Sequence, residues 1–383
     1  MAVSRETDDV GRVYEVDITY PQNLHDVHND MPFLPHSGIP KNSSVQKLLA
    51  TFEHKERYVV HYLNLKQAIA NGLIVDKVHR VLEFRQSPWL APYTTLNTEM
   101  RQRATNKFEE QFFKDMVNSV FGKTMESMRK RIKMELVSCP IRMQKLINRP
   151  TFKLCTTYSE NLAAVSMHNK VIDFCKPIYI GFSVLELSKT VMYDYHYNVM
   201  KRHYGDKISL LYTDTDSLLY HVTTEDFYDD LANKPNLLSR MDTSNLPTNH
   251  RCFSSARKRI PGLFKDETKG RTMYEFVALR AKSYAYDIER TVEIRAKGIR
   301  AHVLRNHLTF EDHKRCLFEH DDEGDTTGDE EDLNVENVSI RSFKHRVKTI
   351  KTMKLALNRS DDKRHVLSDN VHTLAHGHYK IIN

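Results

Sequence analysis

Two acids carry the first chemical hint. Asp214 and Asp216 lie in Ile208-Ser-Leu-Leu-Tyr-Thr-Asp-Thr-Asp-Ser-Leu-Leu-Tyr-His-Val222, with apolar runs on both sides of Thr213-Asp214-Thr215-Asp216-Ser217. That pattern predicts a buried β-hairpin with two acids at its tip. If the tip stays extended, alternation turns both carboxylates to one side and Thr215 to the other. Carboxylates so close repel each other and lose hydration, so a cation should join them. A divalent metal ion is one answer. The alternative is a tight turn in which Asp and Thr hydrogen-bond their own backbone.

A second set of candidates is Lys114-Asp-Met-Val-Asn118-Ser119-Val-Phe121-Gly122. It falls in a proline-free run from Thr95 to Arg131 whose Phe108, Phe112, Phe113, Met116, Val120 and Phe121 recur every three or four residues, so one long helix is expected. Arg103, Lys107, Lys114 and Asn118 are offset by 0, 4, 11 and 15 residues. At about 100° per residue they share one face, within roughly 60°. Such a stripe suits a polyphosphate; the alternative is a solvated basic face. Lys282-Ser-Tyr284, in Leu279-Arg-Ala-Lys-Ser-Tyr-Ala-Tyr286, offers a charge and a ring that alternation places on one strand face.

These segments resemble motifs of family B DNA polymerases: Asp214 to Ser217 the D-T-D-S motif, Lys114 to Gly122 the K-x-x-x-N-S-x-Y-G motif with Phe121 in place of tyrosine, and Lys282 to Tyr284 the K-x-Y motif. From about residue 12 to about residue 310 the chain is similar to the protein-primed branch, in particular to polymerases of Polinton (Maverick) type transposons and related viruses. The resemblance implies template-directed DNA synthesis, with nucleotidyl transfer from a dNTP to a primer 3′ hydroxyl. It implies two Mg²⁺ or Mn²⁺ ions on Asp214 and Asp216, with Asp216 the principal ligand, and Thr215 and Ser217 holding the tip at the DNA. Lys114 is implicated at the triphosphate, Arg103 and Lys107 less strongly. Asn118, Ser119, Phe121 and Gly122 would line the nascent base pair, and Lys282 and Tyr284 would meet the primer terminus and template backbone. The partners implied are DNA primer-template, dNTPs and, in this branch, a terminal protein primer.

The same resemblance implies an α+β right-hand fold with an antiparallel palm sheet, helical fingers and a small, mostly helical thumb. Residues 1–97 would be a palm-associated region with an insertion like the one that contacts the terminal protein. Residues 98–131 would be the fingers helix, 132–181 an insertion and return to the palm, 182–298 the palm with the acidic hairpin, and 299–383 the thumb and a polar tail. One motif is absent. The branch carries a further acid in D-x-x-S-L-Y-P, and Asp17-Ile-Thr-Tyr20-Pro21 is two residues too short to match it. The expectation is a polymerase truncated after that motif, without the bridging aspartate or the exonuclease; the alternative is a catalytically inactive DNA-binding remnant. The Thr215 between the acids disfavours a reverse transcriptase, whose acids are adjacent.

Composition agrees with a globular chain of this kind. There are 383 residues, 40% hydrophobic and 28% charged, with a net charge of +7 from 57 basic and 50 acidic residues. Residues 319–332 concentrate acid in one expected loop, so the remainder is more basic than the total. No apolar run spans a bilayer and no signal peptide opens the chain, which points to an intracellular site, nuclear if the suspected role holds. Five scattered cysteines form no C-x-x-C pair. His25 and His28 are read as structural hydrogen-bonding groups, His372, His376 and His378 as solvated, and Trp89 as a packing anchor.

Overall fold

The computed structural model describes residues 9–40, 43–318, 333–343 and 346–381. Residues 1–8 and the acidic stretch 319–332, the latter expected from its composition to be a loop, lie outside the described residues. Each ladder between the strands described below is antiparallel. With helices distributed among the sheets, the chain is α+β, as expected.

Alternating residues from Val10 form β1 (Val10–Thr19), whose Val16 and Ile18 are buried together. The short α1 (His25–His28) and a small pair, β2 (His36–Gly38) with β3 (Lys47–Leu49), come next. Then follow β4 (Lys55–His61), α2 (Tyr62–Ala70) and β5 (Ile74–Arg85). β1 is the middle strand between β4 and β5. His61 caps α2 through its side chain, and Gly72 at φ +96° ends it in a backbone region that glycine enters freely.

The expected single helix from Thr95 to Arg131 is two helices, α3 (Ala91–Arg103) and α4 (Lys107–Thr124). Asn106 has extended backbone, and its side chain accepts from the Glu109 amide at 2.9 Å while Glu109 accepts from the Thr105 amide at 3.2 Å. This exchange is a capping box shifted by one residue, and it starts a new helix where hydrophobic periodicity alone reads straight through. Arg103 therefore belongs to α3, and the helical offset that aligned it with Lys114 does not apply. Phe108 is 79% exposed and Trp89 63%, so neither is the packing anchor its residue type suggests.

A small module follows: β6 (Ile132–Val137), α5 (Pro140–Ile147), β7 (Phe152–Ser159) and β8 (Leu162–His168), ordered β6-β8-β7 around a cluster of Val137, Leu146, Val165 and Met167. Next come α6 (Ile178–Tyr193), a π-helical stretch from Asp194 to Lys201, and α7 (Arg202–Tyr204). Tyr193 and Tyr197 from this rod join Val16, Phe33 and Val60 in the largest apolar cluster. The rod feeds the predicted hairpin, β9 (Ile208–Asp214) and β10 (Ser217–Val222), and then α8 (Phe227–Asn233) and α9 (Pro235–Leu238).

The last sheet is β11 (Met273–Arg280), β12 (Ser283–Ile288) and β13 (Thr291–Ala296). β11 pairs with β12, and Phe264, in the connection that leads into this sheet, bridges Met241. Helices α10 (Ala301–His307) and α11 (Phe310–Phe318) then pack with a long ribbon of β14 (Leu333–Phe343) and β15 (Arg346–Leu357). Residues 299–383, expected to be mostly helical, instead have as their largest described element a β-ribbon, built on alternating Val335, Asn337 and Ser339, all buried. β16 (Arg364–Val366) and β17 (Thr373–Ala375) close the chain. The expected solvated tail is docked: His378 is buried, Ala375 N donates to Asn29 Oδ1 at 2.9 Å, and Tyr379 N donates to His25 Nδ1 at 3.2 Å.

The long connection between α9 and β11 is tied down by Asp242. Its carboxylate accepts from the Ser244 amide at 3.0 Å and the Arg259 amide at 2.8 Å, and Lys265 stands 3.3 Å away. Burial works to raise its pKa, but the Arg259 amide, Ser244 and Lys265 outweigh burial and bring it down to about 2. A carboxyl whose folded pKa lies below its unfolded value stabilises the fold above the unfolded pKa, and that contribution disappears as pH falls through the folded one. Urea unfolding should therefore show stability falling between pH about 4 and about 2, a slope that Asp242→Asn reduces while also lowering stability at pH 7. An unchanged slope in the variant would contradict this assignment.

Candidate nucleic-acid and nucleotide site

The acidic hairpin forms where alternation places it. Leu210, Tyr212 and Asp214 point inward along β9, while Ser209, Leu211 and Thr213 are exposed. The tip differs from the extended form assumed above. Asp216 N donates to Asp214 O at 2.7 Å across Thr215 at φ +59°, a γ-turn of the rarer positive-φ kind. Thr215 Oγ1 donates to Asp214 Oδ1 at 3.1 Å, and Ser217 Oγ to Asp214 O at 3.1 Å. These short side chains hold the tip, as the resemblance implied, and strict alternation no longer relates the two acids. Asp216 is exposed and has no partner among the described residues.

Asp214 has a partner, and it is the lysine of the third motif. Lys282 Nζ lies 2.7 Å from Asp214 Oδ2, and Lys282 N donates to Tyr212 Oη at 2.9 Å. Lys282 occupies the turn between β11 and β12 at φ +63°. The hydrogen bond to Asp214 leads the effects that raise its pKa, so the ammonium stays charged at neutral pH. Tyr284, two residues on, meets the Tyr212 ring with centroids 5.1 Å apart. Phe276 lies 6.0 Å from Tyr284, and Tyr286 stacks at 6.1 Å, so a row of rings leads away from the ion pair. The cation that two neighbouring acids require is thus present as an ammonium.

On α4, Lys107, Lys114 and Asn118 are exposed on one face and make no ion pair or side-chain hydrogen bond among the described residues. Ser119 Oγ donates to Met116 O, and Phe121 is half-buried. Gly122 has open space where a Cβ would stand, so close packing does not explain it. Arg103 pairs with Glu99 on α3 at 4.0 Å. α4 packs on α6, and a Cβ on Gly181 of α6 would come within 2.2 Å of Met125 Cγ, so this glycine permits the contact. Through α6 and the rod that follows it, α4 and the hairpin share one support. Sequence reading missed Gly181, Tyr212 and Phe276; the inward parity of β9 was the signal for Tyr212.

The hairpin is braced from behind. His196 Nδ1 and Tyr220 Oη are 3.0 Å apart with stacked rings, and Asp30 lies 3.8 Å from His196 Nε2. Burial first of all lowers the His196 pKa to about 4, so the ring is neutral at pH 7. His28 Nδ1 is 2.8 Å from Tyr20 Oη, which supports the structural reading of that histidine.

Asp17 is engaged elsewhere. It accepts from the Arg57 amide at 2.8 Å and faces His79 at 2.8 Å, contacts that lower its pKa, the Arg57 amide most. Among the described residues no group of three or more His, Cys, Asp or Glu side chains converges as a metal site. A pair of ions about 4 Å apart needs more oxygens than one free carboxylate and one already held by lysine. This donor set does not fit two ions. No protein-family model, curated protein or solved structure matches the chain.

Since the Lys282–Asp214 pair is solvent-exposed, Lys282→Met should change stability by no more than about 1 kcal/mol in thermal melts. Freed of its counter-ion, Asp214 should then bind Mn²⁺ more tightly by calorimetry than in the wild type, and Asp214→Asn should not. Equal Mn²⁺ binding by all three proteins would show that the pair does not govern the charge of the tip.

Proposed function

We propose that the chain holds a DNA end and a dNTP in the manner of family B DNA polymerases of the protein-primed branch, and that on its own it acts as a DNA-binding protein rather than as a two-ion polymerase. In this reading β9–β10 and β11–β13 belong to the palm, α3–α4 to the fingers, and α10, α11 and the β14–β15 ribbon to the thumb. The observation that carries it is the meeting of two motifs far apart in sequence: Lys282 contacts Asp214 and Tyr212, and Tyr284 contacts Tyr212. An ammonium that now serves a carboxylate can serve a backbone phosphate, and Tyr284 and Phe276 offer ring faces for sugar and base.

Lys107 and Lys114 carry unengaged charge along one helix face, which suits a triphosphate bound as a point-charge contact. Asn118 adds an amide beside them. A second reading, DNA synthesis by this chain, is favoured by one observation: Asp216 is exposed, unpartnered and at the tip. A terminal protein primer belongs to either reading as a partner of that branch.

Anisotropy of a labelled primer-template separates these readings. The chain should bind it, and Tyr284→Ala should weaken binding at least about fivefold, the low end for one stacked base. Primer extension with dNTPs and Mg²⁺ should be absent. Undiminished binding by Tyr284→Ala would remove this reading; extension that Asp216→Asn abolishes would establish the second.

A further inference from the structure

The connection between α9 and β11 does more than close a loop. Arg259, whose side chain is 16% exposed, reaches the junction of α3 and α4. One guanidinium nitrogen donates to Arg101 O, a carbonyl in the last turn of α3, and another lies 2.8 Å from Glu110 Oε1 in the first turn of α4. Arg101 itself stands 3.7 Å from Glu110, and Gln102 Nε2 donates to Lys258 O at 2.8 Å. Last-turn carbonyls have no partner within their helix, so a guanidinium there meets a real need. One planar fork thus joins the end of one helix to the start of the next.

The other side of the same segment is fixed. Arg259 N is bound by the buried Asp242, and Arg257 donates to Leu238 O at 2.6 Å. Arg259 also holds φ at +58°, a conformation that a non-glycine residue keeps only where its surroundings enforce it. α4 therefore has two anchors, α6 at its C-terminal end and Arg259 at its first turn, with Lys107 in that first turn and Lys114 between the two.

We propose that residues 257–259 form a strap that sets the pose of the α3–α4 pair, with Arg259 as the positioning residue for the face bearing Lys107 and Lys114. This rests on the triphosphate role given to that face above. Arg259 touches no ligand itself. It fixes the pose of the charged face, so losing it should impair nucleotide binding more than DNA binding.

Arg259→Gly removes the fork and relaxes the positive φ, so a loss cannot be assigned to backbone strain. Glu110→Gln removes the other partner without touching the loop, and Arg259→Lys restores the charge without the fork. Amide exchange over residues 99–112 should quicken about tenfold in Arg259→Gly, while exchange in α6 stays as in the wild type. The Kd for mant-dATP should rise at least about fivefold in Arg259→Gly and Glu110→Gln and recover in part in Arg259→Lys, with primer-template affinity within about twofold throughout. Unchanged mant-dATP affinity in Arg259→Gly, with the wild type binding it, overturns the proposal. A wild type that does not bind mant-dATP removes the functional reading above, and this proposal with it.

Discussion

The contact between Lys282 and Asp214 joins two chain reversals, and most of the site follows from it. Each reversal holds a non-glycine residue at positive φ, Thr215 at +59° and Lys282 at +63°. For a β-branched residue such as threonine this is a true outlier, worth on the order of 1–3 kcal/mol of strain. Both turns persist because side chains enforce them: Thr215 and Ser217 bond back onto Asp214, while Lys282 is held through its amide by Tyr212 and through its ammonium by Asp214. Strain falls on residues of two of the sequence motifs. A carboxylate that would otherwise repel its neighbour is neutralised from a separate sheet, and the lysine that does so is presented to whatever anion approaches the tip.

Behind the tip, support is polar as much as apolar. β10 leans on His196 through Tyr220, and the rod carrying His196 also lends Tyr193 and Tyr197 to the core around β1. Tyr197 Oη donates to Met31 O at 2.8 Å, Tyr193 Oη to Pro32 O at 2.6 Å, and the C-terminal segment is sewn to the same stretch through Asn29 and Arg364. Buried hydroxyls that are satisfied in this way specify one arrangement more sharply than apolar contacts do. The stretch from Asn29 to Pro32 thus meets both the rod and the C-terminal segment.

Much of this was legible in the sequence, for identifiable reasons. The acidic hairpin was, because apolar runs flank a polar tip; so were α2 and its closing Gly72, and the α+β class. A tight turn at the tip was one of the two readings the residues left open, but its γ form was not legible, since no alternation rule predicts a threonine at positive φ. Periodicity overran the α3–α4 break, although Asn106 followed by Glu109 at the third position is a start signal that local reading could have caught. The β14–β15 ribbon was hidden by expectation of a helical region, despite the alternation of Val335, Asn337 and Ser339. Tail docking was invisible because His25 and Asn29 lie more than three hundred residues from their partners Tyr379 and Ala375. The need for a cation at the acidic tip was legible; that Lys282 stands there was not, since only three-dimensional packing brings it to Asp214.

The central claim is that the two turns form one site for a DNA end. Photo-crosslinking of a primer whose 3′-terminal base is 4-thiothymine, followed by peptide mapping, tests it most directly. The account predicts crosslinks within β9 and β12, at Tyr212 and Tyr284. Crosslinks confined to the β14–β15 ribbon or to the β6–β8 module, with none at either tyrosine, would contradict it.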